Sequence, residues 1–287
     1  MRIVATVYLR EVLGYFYSPI AYVLGSAFWA VQGFSFWALM RALSDPRQPA
    51  EVGAVLRQFF GGTLLHWLVV FSLLAMLSMR TIAEEKRDGM WESMLTTRAQ
   101  ASSILVAKWL ALVSFYCLLW LPTLLLIYFF TMFLPPEQAL DWGPVASAYL
   151  GIIAIGAALA AIGIAISSLT SSQVVAGIIS LVVFLSWLML GELGDVGATG
   201  HSSQWVFFVN LRLCLESFAR GEVDLARLLS LAFVAVLALR AAASVIGQSK
   251  TERNRFRIAC IALVVAGASA SSLAGKHWTP GDWTAHS

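Results

Sequence analysis

The chain has 287 residues, 59% hydrophobic and only 12% charged, with a mean hydropathy of +0.79. A soluble domain carries about 25% charged residues, so this composition argues against a soluble protein and indicates a membrane protein. The net charge of +3 is small, calls for no nucleic-acid partner, and suits cytoplasmic loops that face anionic membrane lipid.

The first 18 residues are too polar for a complete span. Arg2, Thr6 and Arg10 recur at four-residue spacing, so they share one face of a helix. This pattern predicts a helix over residues 1–18 that lies in the cytoplasmic interface of the membrane. Pro19 follows and predicts the turn into the bilayer.

Seven apolar runs approach the roughly 20 residues that cross the hydrocarbon core of a bilayer. Pro122 predicts a kink in the third of them, and Asp224 is placed to cap the start of the sixth. Small residues in the fourth, such as Gly156 and Ala160, predict a helix-packing face. The predicted spans are residues 20–41, 59–80, 103–134, 144–168, 173–191, 225–247 and 256–274.

The densest charge in the chain lies between the second and third predicted spans. Residues 84–88 are five ionisable side chains in a row. At about 2.5–3.5 kcal/mol for each charge at the bilayer centre, burying all five would cost more than about 10 kcal/mol. We therefore expect this segment to lie in water.

The same segment has the pattern of a short helix. Glu85 and Glu92 would share one face, beside the apolar pairs Met90 with Met94 and Trp91 with Leu95. Such a helix at the membrane surface is suited to docking a soluble partner. The alternative is a solvated loop whose apolar face rests on lipid headgroups.

Residues 192–223 form the largest predicted outer region, with amphipathic character over 205–219 and a predicted pair between Arg212 and Glu216. This region is either an interfacial cap or an outer gate over a substrate path. With the N-terminus inside, the segments that face the cytoplasm hold more basic residues than the outer segments, most densely at 250–257. We therefore expect a cytoplasmic N-terminus.

Motifs for chemistry by this chain alone are missing from the sequence. It contains no Gly-x-x-x-x-Gly-Lys-Ser/Thr phosphate loop, no His-x-x-x-His or Cys-x-x-Cys, and no Gly-x-Ser-x-Gly elbow. We predict no catalytic residue, no metal ligand and no cofactor in this chain. His66 and Gln32 are the main polar residues inside predicted spans and are candidates for a transport path. The alternative is that a neighbouring side chain satisfies His66.

The stretch from Arg80 through residues 84–89 (Glu-Glu-Lys-Arg-Asp-Gly) to Glu92 resembles the signature of type-2 ABC transporter permeases. In that family this loop carries the coupling helix, which sits in a groove of the ATP-hydrolysing subunit. Residues 15–23 and 215–224 resemble segments of the gliding-motility (Gld-type) branch. The chain departs from the family pattern at Met90, where Thr is usual, and at residues 97–98, where Leu-Pro is usual.

The resemblance implies an all-α, polytopic membrane protein: a six-span permease fold in residues 1–250, followed by a basic linker, a seventh span and a short outer tail in 251–287. It places a coupling segment at 81–98. Glu85 and Glu92 would offer acceptors to the partner, Gly89 would permit the turn, and apolar side chains would fill the groove. The implied coupling residues are Glu84, Glu85, Lys86, Arg87, Gly89, Met90, Trp91, Glu92 and Met94.

The function that the resemblance implies is the permease subunit of an exporter in the cytoplasmic (inner) membrane, with the C-terminus outside. Two ABC ATPase subunits, which bind ATP and Mg, would act on this chain and on a second copy or a paralogue. The tail at 277–284 resembles part of a companion subunit, so an alternative is a force-transmitting scaffold that acts on an outer protein. An ATP-independent carrier would need broken helices or intramembrane charges in repeated halves, which the sequence does not show.

Overall fold

The computed structural model describes residues 2–43, 57–89, 101–133, 140–197 and 210–246, and every regular element in these ranges is a helix. The predicted all-α class is confirmed. A single π-helical turn, Gln58–Gly62, precedes the third α-helix. The α-helices are α1 (Arg2–Tyr17), α2 (Pro19–Leu43), α3 (Leu64–Arg87), α4 (Ala101–Phe133), α5 (Trp142–Leu169), α6 (Gln173–Gly197), α7 (Leu211–Ala219) and α8 (Leu225–Ile246).

Five helices in the described ranges are long and apolar enough to cross a membrane, namely α3, α4, α5, α6 and α8. They coincide with the second to sixth predicted spans. The predicted first span forms α2, a helix of 25 residues that is not among these five. The predicted seventh span, 256–274, lies outside the described residues.

Local sequence explains where the helices begin and end. Ser18 separates α1 from α2, and Pro19 takes the first position of α2, where its missing N–H costs nothing. The Asp224 carboxylate accepts the N–H of Ala226 at 2.9 Å, which confirms the predicted cap of α8. Pro122 lies within α4, whose helix is continuous from Ala101 to Phe133.

The helix α5 lies at the centre of the domain and packs against α3, α4, α6, α7 and α8. Its glycines permit close approach. A Cβ atom on Gly156 would lie 2.2 Å from Cε1 of Tyr116 in α4, and one on Gly163 would lie 2.2 Å from Oγ of Ser78 in α3. The predicted packing face of small residues is therefore confirmed.

The helix ends gather in two groups. The charged end comprises α1, the end of α3, the start of α4, and the end of α5, joined by side-chain hydrogen bonds and ion pairs. The capped end comprises the π-helical turn, the start of α5, the end of α6, α7 and the start of α8. This grouping agrees with spans that run alternately up and down.

Candidate functional site

Lys108 is a buried cation at the charged end. It lies two turns into α4, is 1% exposed, and its Nζ donates to Oε1 of Glu11 at 2.8 Å. Nζ is also 2.9 Å from Oε1 of Glu85 and 2.8 Å from the carbonyl oxygen of Thr81. An ammonium has three N–H donors, and here each has an acceptor.

Arg10 of α1 binds the same two carboxylates. Its Nη2 is 2.8 Å from Oε1 of Glu11 and 2.8 Å from Oε1 of Glu85. Although partial burial lowers it, the carboxylates of Glu11 and Glu85 together raise the pKa of Arg10 above its usual value. Arg10, Glu11, Glu85 and Lys108 are hereafter the charged cluster, in which two positive and two negative charges balance.

The charged cluster joins three helices that are far apart in sequence. Glu11 and Arg10 come from α1, Glu85 from the last turn of α3, and Lys108 from α4. Removing one partner of a buried ion pair leaves an uncompensated charge, which typically costs about 3–5 kcal/mol. The end of α3 is thus held to α1 and α4 by interactions that are costly to break.

Arg80 makes a second link on the same side of α3. Its Nε is 3.1 Å from Oε2 of Glu84, one turn away in the same helix. Its Nη1 donates to the hydroxyl of Ser18, the residue between α1 and α2. The junction of these two helices is therefore tied to the charged run of α3.

On the opposite side, α3 is tied to α5. The Ser167 hydroxyl accepts the N–H of Ala83 at 3.0 Å and donates to the carbonyl of Met79 at 3.1 Å. Lys86 donates through Nζ to the carbonyl of Ser168. The last two turns of α3 consequently contact three other helices through polar groups, in addition to apolar packing.

The structure places five of the predicted coupling residues. Glu84, Glu85, Lys86 and Arg87 form the last turn of α3, so the helix extends past residue 80, where the predicted second span ended. Gly89 follows with φ of 70°, a conformation that favours glycine, and so permits the chain to turn after α3. Met90, Trp91, Glu92 and Met94 lie outside the described residues.

Glu85 requires a correction. We expected all five charges of residues 84–88 to lie in water, but Glu85 is only 6% exposed. The physical reason is that Arg10 and Lys108 neutralise its charge, which removes the cost that the expectation was based on. Arg87 and Asp88 are exposed as expected. The role of Glu85 in binding a partner stays a prediction.

The two candidate path residues lie together. His66 of α3 and Gln32 of α2 are both buried, and Nδ1 of His66 is 3.3 Å from Oε1 of Gln32. The interpretation that a neighbour satisfies His66 is confirmed for this ring nitrogen. Nε2 of Gln32 has no hydrogen-bond partner among the described residues. A role for this pair in a transport path stays a prediction.

Sequence reasoning did not identify Glu11 and Lys108 as site residues. The available signal was Lys108 itself, a single cation in the otherwise apolar sequence of α4. A charge placed in this way needs a partner of opposite sign. The acidic residues predicted at the same membrane surface are few, and Glu11 and Glu85 are among them.

Comparison with models of known protein families identifies a match. A family model described as ABC-2 family transporter protein matches residues 44–210, more than half of the chain. The matched region contains the charged run of α3 and the segment that follows it. The segments 15–23 and 215–224, which resemble the gliding-motility branch, both lie outside it. No curated protein matches the chain.

Proposed function

The chain belongs to the ABC-2 family of transporter proteins, and on that premise we propose that it is the membrane-spanning permease subunit of an ABC transporter. In this proposal a separate ATPase subunit binds and hydrolyses ATP with Mg. Two such subunits act on two permease subunits, which are either identical or paralogous. The transporter works in the cytoplasmic membrane with the charged end inside, and it exports its substrate.

The observation that carries the mechanism is the set of polar links around the last two turns of α3. ATP binding closes the ATPases and moves the coupling segment, residues 81–98. The charged cluster passes this movement to α1 and α4, and Ser167 passes it to α5. Because α5 is the central helix of the domain, the whole bundle then rocks and a path opens at the capped end.

The coupling residues have two roles in this mechanism. Glu92 and the exposed Arg87 make charged contacts with the partner's groove, while Met90, Trp91 and Met94 fill it. Glu85, because it is buried against Arg10 and Lys108, transmits the movement within this chain. Gly89 supplies the turn between the two parts.

Two finer assignments belong to the proposal. The resemblance of residues 15–23 and 215–224 supports the gliding-motility-like branch, and His66 with Gln32 forms a polar point on the transport path. The alternative scaffold function, with an outer companion protein, depends on residues 251–287, which lie outside the described part of the chain. The transporter is therefore the function that we propose.

The test separates docking from transmission. The full-length permease is purified in mild detergent from cells that also make its ATPase, as wild type and as the variants Glu92→Lys, Glu85→Gln and Glu222→Gln. A cysteine at Trp142, exposed at the capped end, reports opening through its reaction with a water-soluble maleimide, after the native cysteines are replaced. The reaction is compared in nucleotide-free and vanadate-trapped complexes.

We expect Glu92→Lys to lose most of the bound ATPase, because it reverses the charge at the proposed docking face. Glu85→Gln should keep the ATPase but lose the nucleotide-dependent change in maleimide reaction. Glu222→Gln is the matched control, since Glu222 is exposed and lies outside the coupling segment and the charged end. If no ATPase accompanies the wild-type permease in several detergents, the proposed function is wrong.

A further inference from the structure

A cavity of about 400 Å³ opens at the charged end, lined by residues of α1, α2, α3 and α4. The charged cluster forms one part of its wall, and Arg80, Glu84 and Asp88 are also part of its lining. The lining thus contains three cations and four carboxylates, which leaves one negative charge. Ile20, Met76 and Leu77 give the cavity an apolar part as well.

Two buried polar atoms of residues that line this cavity have no hydrogen-bond partner among the described residues. They are Oε2 of Glu85 and the hydroxyl of Tyr15, on side chains that are only 6% and 8% exposed as residues. A buried polar group without a partner typically costs about 1–3 kcal/mol, and such groups are uncommon in folded proteins. The pair therefore points to a ligand that is absent from the bare chain.

The two atoms need opposite hydrogen-bond partners: one needs a donor and the other an acceptor. Oε2 of an ionised carboxylate only accepts hydrogen bonds. Burial raises the pKa of the Tyr15 phenol, so its O–H is retained and can donate. The ligand consequently needs a donor, favoured as a cation by the surplus negative charge, and an acceptor a short distance away.

The position of the cavity indicates an amphiphilic ligand. It lies at Ser18, where the chain turns from α1 into α2. Leu13, Phe16 and Tyr17 are exposed beside it on α1. An interfacial helix presents such side chains to the boundary between headgroups and acyl chains, so the cavity is at the level of lipid headgroups if the charged end lies at the membrane surface as proposed above.

We propose that this cavity binds the headgroup of a membrane lipid that carries a primary ammonium and a phosphate. Both atoms are buried in the bare chain, so the two side chains turn toward the ligand on binding. The ammonium then donates to Oε2 of Glu85, and the Tyr15 hydroxyl donates to a phosphate oxygen, with Arg80 close by for the phosphate charge. A quaternary ammonium has no N–H to donate, so a choline headgroup leaves Glu85 unsatisfied. A headgroup with a net negative charge binds more weakly, because it is repelled by the surplus negative charge of the lining.

The test measures lipid binding to the delipidated full-length permease in detergent, without the ATPase. Native mass spectrometry follows titrations with phosphatidylethanolamine, phosphatidylcholine and phosphatidylglycerol that have identical acyl chains. We expect phosphatidylethanolamine to bind about tenfold more tightly than phosphatidylcholine, the ratio expected for one additional hydrogen bond to a charged group.

Tyr15→Phe is the sharpest variant, because the Tyr15 hydroxyl has no hydrogen-bond partner to lose among the described residues and the ring can keep its stacking on Phe115 at 5.2 Å. It should bind phosphatidylethanolamine about fivefold more weakly. Tyr8→Phe is the matched control on the same helix, since its hydroxyl binds Ser114 and does not line this cavity. Glu85→Gln should reduce the preference for the ethanolamine headgroup to about one.

Equal binding of the ethanolamine and choline lipids by the wild type would overturn the proposal. So would a preference that survives Tyr15→Phe, or equal losses in Tyr15→Phe and Tyr8→Phe. If glycerophosphoethanolamine, which has no acyl chains, competes as well as the lipid, or if Mg²⁺ alone displaces the lipid, the assignment to a lipid is wrong. Because the ATPase is absent, these outcomes are separate from failure of the transporter proposal.

Discussion

At the charged end, two cations and two carboxylates from three helices meet around the buried side chains of Lys108 and Glu85, whereas at the capped end the buried Arg227 lies beside a carboxylate of its own helix start. Glu11, Glu85 and Lys108 are brought together from distant parts of the chain. Arg227 is 2% exposed and lies 3.6 Å from Asp224, three residues earlier. Its Nη1 donates to the carbonyl of Leu213 at 2.8 Å.

This difference indicates which end transmits force. Long-range ion pairs oblige α1, α3 and α4 to move together, so a pull on the end of α3 reaches all three helices. The capped end is held by neutral hydrogen bonds, such as that from Ser147 to the carbonyl of Phe218, and by close packing around α7. Among the described residues, its helices can therefore separate without breaking a buried ion pair between them. A permease that is driven from one end and opens at the other needs such an asymmetry.

The substitution with the largest expected effect on stability is Lys108→Met, at the charged end. It leaves Glu11 and Glu85 buried with Arg10 as their sole cation among the described residues, and Arg10 is half-exposed. We expect the free energy of unfolding to fall by about 3–5 kcal/mol. The measurement is denaturant unfolding of the purified permease in detergent, followed by tryptophan fluorescence.

The double variant Lys108→Met/Glu85→Gln is the control for that experiment. It removes one positive and one negative charge, so the cluster is neutral again and at least half of the lost stability should return. If the double variant is less stable than Lys108→Met alone, the destabilisation comes from packing around Lys108 and not from the uncompensated charge.

Arg227→Met tests the capped end in the same way. The substitution leaves the carbonyl of Leu213 and the hydroxyl of Ser217 without this donor. The side chain of Asp224 is 38% exposed and keeps access to water, so the loss should be smaller, about 1.5–3 kcal/mol. Arg220→Met, at a side chain that is 54% exposed, should change stability by less than about 0.5 kcal/mol. Equal losses at Lys108 and Arg227 would remove the distinction between the two ends.

The sequence predicted the helices well because their signals are local. Apolar runs of sufficient length, Pro19 at the start of α2 and Asp224 at the cap of α8 are each visible in a few adjacent residues. The fifth predicted span, 173–191, ended six residues before the end of α6, because the glycines there suggested a loop. In the structure α6 continues through them to Gly197, and Gly191 packs against Asn210.

The candidate site was only partly predictable because it depends on contacts between distant residues. The charged run at residues 84–88 identified the segment, but no local pattern shows that Arg10 and Lys108 neutralise Glu85. Similarly, His66 and Gln32 were each identified as polar residues in apolar runs, while their contact at 3.3 Å required the packing of α2 on α3. The charge of Glu85 led to the prediction that it is exposed, but its burial depends on the partners that the fold brings to it.

Two glycines of α5 compare how firmly α3 and α7 are packed against this helix. A Cβ on Gly163 would lie 2.6 Å from Cβ of Ser78, which is fixed on the long helix α3, so the two backbones must separate. A Cβ on Gly151 would lie 2.8 Å from the ring of Phe218 on the nine-residue helix α7, which can shift more easily. We expect Gly163→Ala to cost about 2–3 kcal/mol and Gly151→Ala about 1 kcal/mol.

Thermal unfolding of the two glycine variants in detergent measures this difference. Gly14→Ala in α1 is the control, because nothing lies within 4 Å of the added Cβ and alanine favours the helix, so stability should rise by up to about 1 kcal/mol. The opposite order, with Gly151→Ala the more damaging variant, would mean that α7 is held as firmly as α3.

Asn210 shows how α7 is held in place. Its Oδ1 accepts the N–H groups of Arg212 and Leu213 at 3.0 and 3.1 Å, and its Nδ2 donates to the carbonyl of Gly191 at 3.1 Å. One side chain therefore both caps α7 and ties it to α6. Asn210→Ala should cost about 1 kcal/mol, as the loss of a helix cap usually does.

Asn210→Ser separates the two functions, because serine keeps an acceptor for the cap but is too short to replace the amide donor to Gly191. If serine restores most of the lost stability in thermal unfolding, capping dominates and the tie to α6 is weak. The capped end can then open by moving α7 away from α6 at little cost, in contrast to the charged end. If serine restores nothing, the bond to Gly191 fixes α7 on α6, and opening must occur elsewhere in the bundle.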